Sequence, residues 1–281
     1  MNEVLKLHQT NATVARSVAN RHGWVPFETV VVGGIPLVTA SRQDLTNAMA
    51  DDCLNARQRN VPARLVFDLN GQGLSMYQTH PAFRQAEDLA DVVHADGGFL
   101  VTLSRRMAGV SIKERSATTD LIHDFSARAA ADGLTFYLLG GDEEVNALCA
   151  ETLVQSYPGL RIVGRRNGFF SPEDEAGIVA EISALKPDVL WVGLGKPKEQ
   201  VFAARYRHII KAGWVVPCGG CFNFVTGHYR RAPIWMQRMN LEWLFRMVTN
   251  PRQLLWRYVV TTPHALLLGL LRTPRRQKPG R

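Results

Sequence analysis

Residues 189–210 read VLWVGLGKPKEQVFAARYRHII, and this stretch predicts a strand that turns directly into a helix. Its first four residues are apolar and partly β-branched, as in a buried strand, and glycines at 193 and 195 end that strand. From residue 198 onward, polar and apolar side chains alternate with a helical period. A second apolar run follows at 214–217, so the segment predicts a βαβ unit with two parallel strands.

The same alternation of short apolar runs and amphipathic stretches extends from about residue 27 to residue 220. The predicted strands are 64–68, 91–95, 135–139, 161–164, 189–192 and 214–217. The predicted helices are 41–59, 117–131, 143–157, 172–185 and 198–210. The predicted fold class is therefore α/β: a Rossmann-like, mostly parallel sheet with helices on both faces, plus a C-terminal helical, basic appendage. Ligands of such sheets bind beyond the carboxyl ends of the strands.

The chain of 281 residues is expected to have three parts: a loosely structured N-terminal segment at 1–26, an α/β core at 27–227 and an appendage at 228–281. Hydrophobic residues make up 46% of the chain, which is enough for a sizeable core. Four scattered cysteines are too few for a disulfide framework, and residues 1–22 do not resemble a secretory signal. The expected compartment is therefore the reducing cytoplasm.

The formal net charge of +8 is concentrated at one end of the chain. Residues 228–281 carry eleven Lys and Arg against one acid, Glu242, whereas the rest of the chain carries 22 basic and 24 acidic residues. Such a tail requires an anionic partner, with nucleic acid, anionic lipid and a pyrophosphate group as candidates.

The tail also contains several aromatic residues and an apolar run at 259–271, which we expect to be too short and too interrupted to span a bilayer. Arginines beside Trp and Leu favour a helix that lies in the plane of a membrane interface. A helical hairpin packed on the core, with its arginines in solvent, is the alternative.

Two glycine-containing turns after predicted strands are candidates for phosphate binding. Gly140 and Gly141 form the first, and Gly195 lies in the second, where backbone N–H groups at a helix start can face an anion. Lys196, Lys198 and Gln200 follow in the loop and in the first turn of the next helix, where a lysine opposes the helix dipole unless it meets a phosphate. Tight turns and a solvated lysine would explain the same residues without a ligand.

Asp96 follows a predicted strand in the run His94-Ala95-Asp96-Gly97-Gly98. A carboxylate at this place could act as a general base for a sugar hydroxyl, although Asp-Gly is also a common turn. Cys218-Gly219-Gly220-Cys221 has the spacing of a redox motif, but it lacks a second cysteine pair or nearby histidines, so we interpret it as structural. No metal site and no cofactor are expected.

A series of short motifs occurs in a fixed order along the chain. It consists of Asn70, Ala95-Asp96-Gly97, Glu114-Arg115 with Asp120-Leu121, Leu139-Gly140-Gly141, Tyr157-Pro158-Gly159-Leu160, Asn167-Gly168-Phe169-Phe170, Pro187-Asp188-Val189-Leu190, Gly193-Leu194-Gly195-Lys196-Pro197-Lys198, Arg231-Ala232-Pro233, Leu241-Glu242-Trp243-Leu244-Phe245-Arg246, Asn250-Pro251-Arg252 and Arg257-Tyr258. From about residue 30 to residue 260, this series resembles the WecG/TagA/CpsF glycosyltransferase family.

The resemblance implies an inverting transfer of a hexose or N-acetylhexosamine-type sugar from a UDP-sugar donor. The implied acceptor is an undecaprenyl-pyrophosphate-linked saccharide, used in the biosynthesis of surface or exported polysaccharide, and no bound metal is implied. The enzyme would be peripheral on the inner face of the cell membrane, in contact with its anionic surface and without a nucleic-acid partner. Relatives also suggest self-association as a homo-oligomer.

The resemblance further implies roles for particular residues. Asp96 would be the base, and Asn70 would lie in the pocket. Arginines of the appendage would reach the acceptor's pyrophosphate, namely among Arg230, Arg231, Arg252 and Arg257. Arg115 and Asp120 of the third motif, with the glycine-turn residues above, complete the candidate substrate-binding residues.

Three departures from the family pattern bear on the donor sugar. The chain has Glu199-Gln200 where the family usually has Gln-Glu, Asn223 where an Asp is usual, and residues 116–119 in place of a more glycine-containing pattern.

The sequence leaves two other functions open. One is nucleic-acid binding by the basic tail, against which its Leu run argues; the other is a dinucleotide-dependent oxidoreductase, which is weakened by the missing Gly-x-Gly-x-x-Gly.

Overall fold

The computed structural model describes residues 27–56 and 61–275. The predicted loose segment 1–26 and the last residues of the predicted helix 41–59 lie outside this range. The described chain contains a β-hairpin, β1 (Thr29–Val32) and β2 (Ile35–Val38), and a six-stranded parallel sheet. The strands of the sheet are β3 (Arg64–Leu69), β4 (Val92–Ala95), β5 (Thr135–Gly140), β6 (Arg161–Arg166), β7 (Val189–Gly193) and β8 (Trp214–Pro217).

The order of the strands in the sheet is β4-β3-β8-β7-β5-β6, and each neighbouring pair is parallel. The six predicted strands are confirmed, with bounds that differ by at most two residues. Parallel strands place all their carboxyl ends at one edge of the sheet. In the register of β3 and β4, Leu69 is opposite Ala95, so the residues that follow these strands start side by side.

Twelve helices surround the sheet in the described chain. They are α1 (Arg42–Ala56), α2 (Gly71–Thr79), α3 (Pro81–Glu87), α4 (Gly98–Met107), α5 (Thr118–Asp132), α6 (Glu143–Ser156), α7 (Glu175–Leu185), α8 (Lys198–Tyr206), α9 (Cys221–Val225), α10 (Ile234–Arg238), α11 (Glu242–Thr249) and α12 (Pro251–Arg272). The five predicted helices are confirmed as α1, α5, α6, α7 and α8. The hairpin and α2 to α4 were not predicted.

Alternate side chains of the central strands pack on opposite faces of the sheet, as the period of a strand requires. On β5, Phe136 and Leu138 join a core cluster with α1, α5 and α6, whereas Tyr137 and Leu139 join a second cluster with α7 and α8. Both faces of the sheet are therefore covered by helices, which confirms the predicted α/β class. The near-continuous burial of β3, β5, β7 and β8 follows from this arrangement.

A third core cluster joins the hairpin to the C-terminal helix α12. Val32 and Ile35 of the hairpin pack in the same buried cluster as Leu74 of α2 and Ala265 and Leu268 of α12. Nearby, the backbone N–H of Gly33 donates to Thr273 Oγ1 at 2.9 Å. One side of the appendage is thus part of the folded core.

The apolar run at 259–271 lies in an unbroken helix that is longer than the run itself, contrary to our prediction that this segment is too short to span a bilayer. It belongs to the 22-residue helix α12, which continues through Pro263. Proline lacks an N–H donor but its fixed φ is helical, so it removes one hydrogen bond without ending this helix. Within the described residues, Leu254–Arg272 is one stretch that is long and apolar enough to cross a membrane by length and composition, and 22% of it is buried inside the protein.

Candidate active site

The candidate site lies at the carboxyl edge of the sheet, where polar residues follow β3 and β4. Asn70 comes directly after β3, and Asp96 comes directly after β4. The Asn70 side chain donates to Asp96 Oδ2 at 3.3 Å. Its own Oδ1 accepts from the N–H of Gly73 at 3.1 Å, which caps α2 and fixes the orientation of the amide.

Asp96 is held by an arginine and remains reachable from solvent. Arg115 Nε donates to the backbone oxygen of Asp96 at 2.7 Å, and Arg115 Nη2 lies 3.9 Å from Asp96 Oδ1. Burial alone would raise the pKa of Asp96, but the charges of Arg115 and His94 and the hydrogen bond from Asn70 lower the pKa below its usual value. With 22% of its side chain exposed, Asp96 is an ionised carboxylate that a substrate can contact.

A second carboxylate, Asp68, contacts the same asparagine as Asp96 and is paired with a lysine. Lys196 Nζ donates to Asp68 Oδ1 at 2.6 Å and to the Asp68 backbone oxygen at 3.1 Å. Asn70 Nδ2 also lies 3.3 Å from Asp68 Oδ2, so this one amide contacts both carboxylates. Burial, opposed by the charge of Lys196 and reinforced by Asp96, raises the pKa of Asp68 to about 7.

Two adjoining cavities open on either side of Asp96. One has a volume of ≈ 260 Å³ and a mainly polar lining that includes Gly195, Lys196 and Arg230. The other has a volume of ≈ 240 Å³ and a mainly apolar lining that includes Phe99 and Leu266. Both are lined by the same seven polar or charged residues: Asn70, Gln72, Asp96, Arg115, Glu242, Arg246 and Arg257.

The floor of the polar cavity is organised by Glu199, the second residue of α8. Its Oε2 accepts the N–H groups of Gly195 and Gly219, each at 2.9 Å, and thus ties the ends of β7 and β8 together. Gln200 donates to Glu199 Oε1 at 3.3 Å and is fully buried. Gln200 therefore does not line the cavity, and its visible contact is with the neighbouring carboxylate. Burial raises the pKa of Glu199, despite the charge of Lys196.

Gly140 and Gly141 do not line either cavity. Gly140 has φ 134°, and a Cβ atom there would collide with the backbone of Gly193 at the end of β7. The side chain of Asn146 donates to the Gly140 oxygen at 2.7 Å. The glycines therefore allow the ends of β5 and β7 to approach closely, at the same edge of the sheet as the polar cavity.

The predicted arginines divide into two groups. Arg230 lines the polar cavity, and Arg257 lines both cavities. Arg231 instead pairs with Asp120 at 2.7 Å and lies 3.2 Å from Glu242 Oε1, outside the cavity lining. Arg252 and Lys198, the first residue of α8, are both exposed, and neither lines a cavity.

Asp120 serves an ion-pair network. Besides Arg231, it pairs with Arg42 at 3.3 Å, so it connects α5 to α1 and to the segment before α10. It does not line the cavities. Of the predicted residues, the structure thus brings six to the cavities: Asn70, Asp96, Arg115, Gly195, Arg230 and Arg257.

Sequence reasoning missed several cavity residues. One is Asp68, which forms a buried pair with Lys196 of the predicted glycine turn; the others are Arg246, Trp243 and Tyr258, which are contributed by α11 and α12. Asp68 could have been predicted, because it is an acidic residue in a mainly apolar strand and lies two residues before Asn70. The residues of α11 and α12 belong to motifs that the family resemblance had already marked, but nothing in their spacing indicated which side chains face the site.

The four cysteines are buried and not disulfide-bonded. Cys218 and Cys221 line the polar cavity, and burial raises the pKa of both thiols well above the usual value, which favours the unreactive protonated form. Over residues 27–56 and 61–275, no group of three or more His, Cys, Asp or Glu is arranged to hold a metal ion.

Comparison with known proteins identifies the class to which this fold and site belong. The glycosyl transferase WecG/TagA/CpsF family matches residues 30–279, so the chain belongs to that family and is a glycosyltransferase. One similar protein is the N-acetylglucosaminyldiphosphoundecaprenol N-acetyl-beta-D-mannosaminyltransferase of Bacillus spizizenii, which is 29% identical over 184 residues, covering 66% of this chain and 70% of that protein. Neither comparison supports the alternative of a nucleic-acid-binding protein.

Proposed function

We propose that this protein is an inverting glycosyltransferase that moves a hexose or N-acetylhexosamine-type sugar from a UDP-sugar to an undecaprenyl-pyrophosphate-linked saccharide. The observation that carries the proposal is the place of Asp96, an ionised carboxylate at the junction of a polar and an apolar cavity. The base has to contact the acceptor's hydroxyl while that hydroxyl faces the donor's anomeric carbon, and this junction is where two such ligands would meet.

The polar cavity is the proposed donor site. It lies at the carboxyl ends of β7 and β8, the usual place for nucleotides in this kind of sheet. Lys196, Arg230 and Arg246 line it and would stabilise the negative charge that develops on the departing UDP. Because these cations can supply that stabilisation, we propose a reaction independent of a bound metal or other cofactor.

The apolar cavity is the proposed acceptor site. Its wall includes Leu266 and Ala265 of α12, whose outer face exposes further large apolar side chains. Arg257 lines this cavity as well, and its Nε is buried without a hydrogen-bond partner in the described part of the chain. A lipid-linked pyrophosphate offers both an anion for this arginine and a chain for the apolar surface. The name of the Bacillus relative, which specifies a diphosphoundecaprenol acceptor, supports this assignment.

The place of action follows from that acceptor. We propose that the protein is cytoplasmic and peripheral on the inner face of the cell membrane, with the exposed side of α12 against anionic lipid. Each basic residue near such a surface contributes about 1 kcal/mol to binding. Arg252, exposed at the start of α12, and Arg272, at its end, are suited to that contact.

In the proposed reaction, Asp96 accepts the proton of an acceptor hydroxyl while that oxygen attacks the anomeric carbon of the donor. The bond from the anomeric carbon to the UDP oxygen breaks, and its electron pair leaves with UDP. A single displacement of this kind inverts the anomeric configuration. Asn70 and Arg115 keep the Asp96 carboxylate in place through the contacts described above.

The test is a panel of UDP-sugars incubated with an undecaprenyl-pyrophosphate-linked N-acetylglucosamine acceptor, with products identified by mass and linkage by NMR. We expect one donor to give a lipid-linked disaccharide with inverted anomeric configuration, at a rate that EDTA does not change. The donors should include UDP-linked hexoses, N-acetylhexosamines and a uronic acid. A complete lack of transfer from this panel, or a retained configuration, would contradict the proposal.

A further inference from the structure

The single acidic residue of the basic tail is buried at the candidate site. Glu242 is the first residue of α11, and it is 5% exposed. The cavities on both sides of Asp96 include it in their lining. A buried carboxylate needs partners to offset its desolvation, and in a proposed phosphate site it would repel the ligand unless it served another purpose.

Two arginines from different parts of the chain converge on this carboxylate. Arg115 Nη1 donates to Glu242 Oε2 at 2.7 Å, and Arg231 Nε lies 3.2 Å from Glu242 Oε1. Arg115 belongs to the core and is the same arginine whose Nε donates to the Asp96 backbone oxygen at 2.7 Å. One guanidinium therefore connects the carboxylate of the appendage to the proposed base.

A second contact fixes α11 at the same place. Asn240, two residues before Glu242, has φ 58° and packs its side chain directly on Gly98, where any Cβ atom would collide with it. Gly98 begins α4, only two residues after Asp96. The absence of a side chain at position 98 thus makes room for the segment that delivers Glu242.

We propose that Glu242 is a positioning residue that couples the docking of the appendage to the orientation of Arg115 and, through it, to the charge state of Asp96. This inference rests on the proposed function of Asp96 as the base. When α11 is docked, Glu242 holds the Arg115 guanidinium against Asp96. When α11 is displaced, Arg115 loses this partner, and Asp96 loses the ordered cation beside it.

The charges around Asp96 support an effect of Glu242 that is transmitted through Arg115. Among the charges around Asp96, Arg115 is the strongest influence that lowers the pKa of the carboxyl, followed by His94 on the same strand and, more weakly, Lys196. Asp68 of β3 accepts from the same Asn70 amide as Asp96. Displacing Arg115 should therefore raise the pKa of Asp96, whereas a purely structural role of Glu242 would leave that pKa where it is.

The experiment compares Glu242→Ala, Glu242→Gln and the control Asp132→Ala, whose ion pair with Arg128 lies at the far end of α5. For Glu242→Ala we expect kcat to fall on the order of 100-fold, as for other misplaced catalytic geometry, with the acid limb of the pH profile moved to higher pH. Glu242→Gln keeps an oxygen that can accept from Arg115, so its kcat should lie between those of Glu242→Ala and the unchanged protein. Asp132→Ala should leave both quantities unchanged.

Hydrogen–deuterium exchange supplies a readout that does not depend on transfer activity. In Glu242→Ala, and independently in Gly98→Ala, residues 241–249 should exchange faster while β3 to β8 stay protected. An unmoved acid limb together with unchanged exchange in Glu242→Ala would overturn the proposal, even if kcat fell. If Asp96→Asn proved fully active, Asp96 would not be the base, and faster exchange in both variants would still establish the docking contact.

Discussion

At the scale of single residues, Asp68 and Asp96 show how neighbours decide the charge of a carboxylate. Asp68 lies near the end of β3, and Asp96 directly follows the neighbouring strand β4. Both carboxylates accept from the side-chain amide of Asn70. Asp96 has an arginine beside it and access to solvent, and its pKa is lowered. Asp68 is buried against Lys196, and burial raises its pKa to about 7. Asp96 is therefore the carboxylate suited to meet a substrate as an anion near neutral pH.

Glu87 is a third carboxyl group near Lys196, and it is buried at the end of α3. Neither of its oxygens has a hydrogen-bond partner within the described residues. Burial, opposed by the charge of Lys196 and reinforced by Asp68 and Asp88, raises its pKa to about 8. Because this pKa is above that of the unfolded chain, the stability that the neutral acid contributes is present below about pH 4.5 and is lost as pH rises toward 8.

Replacing Glu87 with Gln should remove this loss, because the amide is neutral at every pH. Between pH 5 and pH 8 we expect the free energy of unfolding of the unchanged protein to fall relative to that of the variant, by about 1.4 kcal/mol per pH unit at most. Urea unfolding at several pH values measures the difference, with the exposed Glu151→Gln as control. Parallel pH dependence in all three proteins would show that Glu87 is not a neutral acid in the fold.

At the scale of elements, α12 has two apolar sides with different partners. Leu254, Ala265 and Leu268 face inward and are buried. Trp256, Leu267 and Leu271 lie on the opposite side of the helix, since residues 4, 11 or 15 positions apart share one face. These three are exposed, Trp256 by 78% and Leu271 by 72%. A helix that is apolar on both sides needs a second apolar partner, and lipid is the one we propose.

The triple substitution Trp256→Ser, Leu267→Ser and Leu271→Ser should abolish binding to vesicles that contain phosphatidylglycerol. Each replaced side chain would forfeit about 1.5–3 kcal/mol of apolar burial, less what it retains at the interface. Flotation with vesicles measures the bound fraction, and the inward-facing residues should keep the fold intact by circular dichroism. Ile209→Ser, which alters an exposed apolar residue after α8, is the matched control and should bind normally. Binding by the triple variant equal to that of the control would contradict this assignment of α12.

The elements that the sequence predicted are those with a clear period. The six strands of the sheet and the five predicted helices have such patterns, so the strands were predicted to within two residues and the described helix ends to within four residues. The hairpin could have been predicted from two mainly apolar runs, 29–32 and 35–38, that are separated by Gly33-Gly34, both of which have positive φ. Helices α2 and α3 are short, and only Asn70 as a cap and Pro81 at a first turn marked them.

At the scale of the whole molecule, the candidate site is assembled from distant parts of the chain. Asp96 could be predicted from its place after a strand, because parallel strands end at one edge, whereas Asn70 was predicted from the family resemblance. The pairs Lys196–Asp68 and Arg115–Glu242 are separated by 128 and 127 residues, and no periodicity or local motif predicts such contacts. The packing of the appendage on the hairpin is likewise a tertiary contact, which the sequence left open as one of two alternatives.

The proposed mechanism depends on Asp96 taking a proton at the junction of the two cavities. The most direct measurement is the transfer rate of Asp96→Asn beside its affinity for the donor, with Asp132→Asn as control. We expect unchanged folding and donor binding, and a rate about 10²- to 10⁴-fold lower, because an amide cannot accept the hydroxyl proton. A rate within a few-fold of the control, at unchanged affinity, would contradict the assignment of Asp96 as the base.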